Sequence, residues 1–149
     1  MKNRLFFIPI IVIFIISVLT FIVCDKNGST GPSLECSNPD AGAAIKVNNP
    51  EEGETFNVGE KIDILYSIDV VKAPGAVAFI SKDNGKTWEN IIDGNSIPTT
   101  KDKGYECIIY SWIIPSDFVT EPNSNIRIKV TKYGDPMEKS VSDAFTIEP

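Results

Sequence analysis

Hydrophobic and polar positions follow two different rules along this 149-residue chain. Residues 5–23, LFFIPIIVIFIISVLTFIV, hold nineteen consecutive positions without a charge. From Ile45 onward the apolar positions recur every second residue. Ile45 and Val47 alternate with Lys46 and Asn48; Ile62, Ile64, Tyr66 and Ile68 alternate with Asp63 and Ser67; Ile126, Ile128 and Val130 alternate with Arg127, Lys129 and Thr131. Period two places one side-chain set on one face of a strand and the next on the other. Turn formers separate the runs: Pro50-Glu51-Glu52-Gly53, Ala73-Pro74-Gly75, Asp83-Asn84-Gly85, Asp93-Gly94, Pro115 and Gly134-Asp135-Pro136. Asn-Gly accepts positive φ and marks a hairpin, with the return strand expected from Trp88 to Ile92. No stretch after residue 43 keeps a 3.6-residue period. The pattern predicts an all-β domain of about seven to eight short antiparallel strands, a β-sandwich, with a barrel as the structural alternative.

The apolar run is a different object. Nineteen residues span about 28 Å as a helix, close to the thickness of a bilayer's hydrocarbon layer. Lys2 and Arg4 precede it, as in the positive flank of an export signal. Cys24 ends the run and a polar stretch follows. Phe21-Ile22-Val23-Cys24 resembles the lipobox of bacterial lipoprotein signal peptides, although Val23 stands where a small residue is usual. The resemblance implies cleavage before Cys24 and acylation of its thiol; an uncleaved signal anchor is the alternative. Residues 25–43 carry Gly28, Gly31, Pro32, Ser33, Pro39 and Gly42, with Leu34 almost the only bulky apolar residue, which is the composition of a tether. The expected organisation is therefore a leader over 1–23, a lipidated Cys and polar tether over 24–43, and a sandwich domain over 44–149.

Composition narrows the chemistry. The chain has 14 basic and 20 acidic residues and no histidine. Without residues 1–23 the balance is 12 basic to 20 acidic. A nucleic-acid partner is not expected, because no basic patch is evident to replace phosphate counterions. The missing histidine excludes Ser-His-Asp and Cys-His sites and histidine-ligated zinc. Once Cys24 is acylated, Cys36 and Cys107 are left, and a pair in an exported domain suggests a disulfide; the alternative is a buried free thiol at Cys107.

The landmarks of the domain reach a family. The strings Asn49-Pro50-Glu51-Glu52-Gly53-Glu54-Thr55-Phe56, Ser81-Lys82-Asp83-Asn84-Gly85-Lys86-Thr87-Trp88, Tyr110-Ser111-Trp112-Ile113-Ile114-Pro115 and Ser142-Asp143-Ala144-Phe145-Thr146-Ile147 occur in order. Together they resemble a bacterial Ig-like module related to the N-terminal domain of yeast Ser/Thr-rich GPI-anchored cell-wall proteins. Tyr66 stands where that family often has Trp. The resemblance implies an Ig-like sandwich on an exported surface protein, without catalysis. Residues 81–88 are also similar to the Asp-box of sialidase propellers, which occurs once per blade; here it occurs once. That similarity implies a hairpin staple made by Ser81, Asp83, Gly85 and Trp88.

Among candidate contacts, Trp88 and Trp112 sit beside apolar residues and are expected to pack in the core. Trp88 is also a candidate sugar-stacking ring, as is Tyr105 on a loop edge. No spacing of ligands suggests a metal, and no cofactor is expected. A glycosidase would draw on Glu51, Glu52, Glu54, Asp63 or Asp69, but a domain this small rarely forms the deep cleft such enzymes need. The expected function is a non-enzymatic binding or adhesion module of the cell envelope. Its domain would face the periplasm or exterior, held to the membrane by lipid on Cys24, and meet a protein or glycan partner through the 93–104 and 115–125 loops at one end of the sandwich. A structural spacer or assembly subunit is the second reading, and a carbohydrate-active enzyme a remote third.

Overall fold

The computed structural model describes residues 35–92, 97–98, 101 and 104–149. The leader and Cys24 lie outside them. The described residues form ten strands and no helix: β1 (Ile45–Asn49), β2 (Thr55–Asn57), β3 (Lys61–Asp69), β4 (Gly75–Ser81), β5 (Glu89–Asn90), β6 (Ile97–Pro98), β7 (Tyr105–Ile113), β8 (Asn123–Lys132), β9 (Asp135–Val141) and β10 (Phe145–Glu148). Two sheets result. One has the order β1-β3-β7; the other runs β2-β10-β8-β4-β5, with β6 also on β4 and β9 also on β8. All pairs are antiparallel except β2 with β10. The expected all-β sandwich is thus present, with more and shorter strands than expected and one parallel pair.

Period two explains the packing. Ile62, Ile64, Tyr66 and Ile68 of β3 turn inward, as do Ala76, Ala78 and Ile80 of β4, Ile126, Ile128 and Val130 of β8, and Phe145 and Ile147 of β10. All are buried, and each large apolar side chain removed from water contributes roughly 1.5–3 kcal/mol. Phe56 meets Phe145 edge-on at 5.8 Å, and Trp112 meets Phe118 edge-on at 5.3 Å. The Tyr66 hydroxyl is buried without a hydrogen-bond partner among the described residues. Burial, helped by the nearby charge of Glu106, pushes that phenol well above its ordinary pKa.

Polar side chains close one corner of the sandwich. The free edge of β1 would expose backbone donors. Instead, the Ala44 amide donates to Glu138 Oε1 at 2.9 Å and the Val47 amide to Ser140 Oγ at 3.0 Å, both acceptors coming from β9. These contacts blunt an edge that would otherwise template pairing with another chain.

Residues 35–43, expected to be tether, lie against the domain. Cys36 is disulfide-bonded to Cys107 on the outward face of β7. The Ser37 amide and hydroxyl both donate to Asn48 Oδ1, Asp40 pairs with Lys46 at 3.7 Å, and Pro39 is buried. These residues form a strap at the outward face of the three-stranded sheet.

Candidate functional site

The loop over 82–88 is organised around one carboxylate. Asp83 Oδ1 accepts from the Ser81 hydroxyl at 2.8 Å, the Lys86 amide at 3.1 Å and the Thr87 amide at 2.8 Å; Oδ2 accepts from the Thr87 hydroxyl at 2.7 Å. Ser81 Oγ in turn accepts from the Gly85 amide at 2.7 Å. The Thr87 amide and hydroxyl, then Ser81, hold the Asp83 carboxyl down at about 2. Asn84 and Gly85 both have positive φ, and a Cβ on Gly85 would come within 3.3 Å of Trp88 Cζ2. Ser81, Asp83, Gly85 and Trp88 therefore come together in one turn.

Trp88 is not in the core. The return strand is confined to Glu89–Asn90, so the ring falls before it, on the outward face of the large sheet. There Lys129 Nζ lies 4.3 Å from the Trp88 ring and 4.6 Å from Phe79. Trp112, in contrast, packs against the core beside Phe118, as expected.

At the root of the same loop is an open cleft of about 470 Å³, lined by Lys82, residues 117–123 and Asn125. Its walls are fixed from beneath. Lys82 Nζ donates to the Phe118 carbonyl at 3.0 Å and lies 4.0 Å over the Phe118 ring. Asn123 Nδ2 donates to the Lys82 carbonyl at 2.9 Å, and the Asn84 amide to the Asn125 carbonyl. Asp117, Thr120, Glu121 and Asn125 are exposed around it. The cleft offers polar donors and acceptors of both signs over a buried aromatic ring. Among the described residues no group of three or more Cys, Asp or Glu is placed to hold a metal ion.

Of the two loops expected at one end of the sandwich, the 115–125 loop and the described residues Ile97, Pro98 and Gly104 of the 93–104 loop lie at opposite ends; residues 93–96, 99–100 and 102–103 lie outside the described residues. Ile113 at the end of β7 faces Lys61, whereas Tyr105 at its start faces Asp69. The 115–125 loop therefore shares its end with the Asp83 turn, where Ser81 faces Arg127. Gly104 binds the Val70 amide at the other end, and Ile97–Pro98 pair with Ala76 and Gly75 there. β7 separates Gly104 from the start of the 115–125 loop by its own nine-residue length, roughly 30 Å of strand. Tyr105, 41% exposed at the far end of the small sheet, is likewise not brought near Trp88. Sequence reasoning found the 115–125 loop but missed Lys82, whose signal was its place beside the Asp83 turn.

No family model matches the chain, and no curated protein matches it.

Proposed function

We propose that this chain is an exported, membrane-anchored, non-enzymatic binding module whose Ig-like sandwich meets a protein or glycan partner at the end carrying the Asp83 turn. The observation that supports this most is the cleft of about 470 Å³, whose polar rim stands on side chains already tied to the scaffold. A pre-formed concave site with a few convergent polar groups is the usual form of a binding site. The Cys36–Cys107 bond suits an oxidising compartment, which agrees with a leader that exports the domain. Lipid on Cys24 would supply the anchor.

The test uses the full chain extracted from membranes, in glycan-array and pull-down formats. Capture of a partner that is lost in Thr120→Arg, which fills the cleft from an exposed position, is the expected result. Capture unchanged by that substitution, or hydrolysis of a polysaccharide by the purified chain, would count against the reading. Intact mass should show loss of residues 1–23 and added acyl mass; a chain still beginning at Met1 leaves the signal anchor instead. Ile109 and Ile113, 56% and 67% exposed on the outward face of β7, favour the assembly-subunit reading as the alternative. Sedimentation of Ile109→Lys/Ile113→Lys separates it: dissociation of an oligomer supports assembly.

A further inference from the structure

The outward face of the large sheet gathers three cations, Arg127, Lys129 and Lys139. Arg127 and Lys129 lie two residues apart on one face of β8, roughly 7 Å along the strand. Lys139 faces Thr131 from β9, and Val141 faces Lys129, so Lys139 stands diagonally beside Lys129. Four other lysines find carboxylates: Lys46 pairs with Asp40, Lys61 with Asp63, Lys72 with Asp69 and Lys132 with Asp135, while Lys82 and Lys101 donate to the Phe118 and Tyr105 carbonyls. Among the described residues none lies in ion-pair contact with Arg127, Lys129 or Lys139, although acids outnumber bases in the chain. Arg127 spends its hydrogen bonds on Asn84 Oδ1 and the Ser142 carbonyl, both neutral. Lys129 is set over two aromatic rings. Desolvation, then repulsion from Lys139, lowers its pKa, so the bare cation is held at a cost that an arriving anion would relieve.

We infer that this face binds an acidic polysaccharide bearing carboxylates. The face offers cations at strand spacing for successive acidic sugars and the half-buried rings of Trp88 and Phe79 for the apolar faces of those sugars. Cation attraction to a polymer is multivalent, so individually weak contacts add. The inference rests on the export and anchoring proposed above, and it names a surface separate from the cleft.

The probe is polygalacturonate, with neutral dextran and vesicles of phosphatidylglycerol in phosphatidylcholine as the other arms, all against the full chain. Saturable polygalacturonate binding is expected, falling with salt on a log–log slope of about −2 for three cations, with no binding to dextran. Lys129→Glu/Lys139→Glu is expected to weaken it at least about 10-fold, and Lys129→Gln/Lys139→Gln to weaken it less, because charge removal lacks the added repulsion. Circular dichroism and the absence of free thiols check that both variants fold. No polygalacturonate binding, equal binding by the Glu variant, or binding to the vesicles alone would each overturn the inference. Loss of binding in Thr120→Arg with full binding in the lysine variants would also overturn it, placing the polymer in the cleft. A cleft partner still captured by the lysine variants leaves the binding-module reading standing whichever way this test falls.

Discussion

On the outward face of the three-stranded sheet, Ser67 and Leu65 are buried although that face is turned away from the core; on the outward face of the large sheet, Lys129 and Lys139 have no acidic partner among the described residues. Part of the first face carries the chain's own residues 36–43, fastened by the Cys36–Cys107 bond, the Ser37–Asn48 hydrogen bonds and the Asp40–Lys46 pair. The second is left bare and charged. The difference teaches where this protein keeps stability and where it keeps surface. The strap substitutes a crosslink for apolar burial, since its polar composition cannot hold it down unaided.

Removing the crosslink is the strongest way to break the comparison. The bond joins residues 71 apart, and in the loop-entropy model that closure is worth roughly 4 kcal/mol. Cys36→Ser/Cys107→Ser should lower Tm by about 15 °C. Hydrogen exchange should quicken first at Ser67 and Leu65 and last on β8. Uniform quickening across both sheets would show that the strap supports the whole sandwich and not one face.

Gly85 offers a sharper cut on the other face. Its φ is +88° and an added Cβ meets Trp88, whereas Gly134 has φ +80° with open space around it. The left-handed conformation costs an L-residue about 1–2 kcal/mol at either site. Gly134→Ala should cost about that much in a urea melt, and Gly85→Ala about 1 kcal/mol more through displacement of the Trp88 ring. Equal losses would mean that Trp88 gives way freely.

Much of this architecture is legible in the residues, and the exceptions have physical reasons. Alternation located β1, β3 and β8, whose inner faces are buried and whose outer faces are polar apart from Leu65 of β3. The run over 107–114 resembles a strand buried on both sides, yet Ile109 and Ile113 are exposed, because β7 ends its sheet and the strap stops short of them. β9, with the sequence DPMEKSV, has no apolar alternation; it exists because Glu138 and Ser140 cap the β1 edge while its backbone pairs with β8. The Asp83 turn could be foreseen from its residue types. The side of the sheet on which Trp88 falls depends on how early the return strand begins, which local pattern does not encode. The cleft joins Lys82 to residues more than thirty positions later, and only the β4–β8 register brings them together.

Acid separates the two faces by titration. Asp83 has its pKa lowered to about 2 from 3.8, so the stability it gives is complete above 3.8 and is lost as pH falls through about 2. Asp63, on the other sheet, is lowered by hydrogen bonds from Lys61 and Ser111 and loses its contribution in the same direction. Thermal melts from pH 5 downward should show Asp83→Asn with a flatter acid limb than the parent chain. An unchanged limb would assign the acid sensitivity to Asp63 and the small sheet.

The smallest effect on stability is expected where the effect on binding is largest. Lys129→Met removes a cation held over Phe79 and Trp88, a contact worth about 0.5–1 kcal/mol at a partly exposed site. It also removes the desolvation of that cation and its repulsion from Lys139, which oppose the folded state. The methionine keeps an unbranched stem against both rings. These terms offset, and the melt should move by less than about 0.5 kcal/mol. A clear loss would mean that Lys129 is retained to hold Trp88 over Gly85, and the face would then be structural like its counterpart. A neutral result leaves a partly desolvated lysine, without an ion pair among the described residues, that the fold does not depend on, as the binding inference requires.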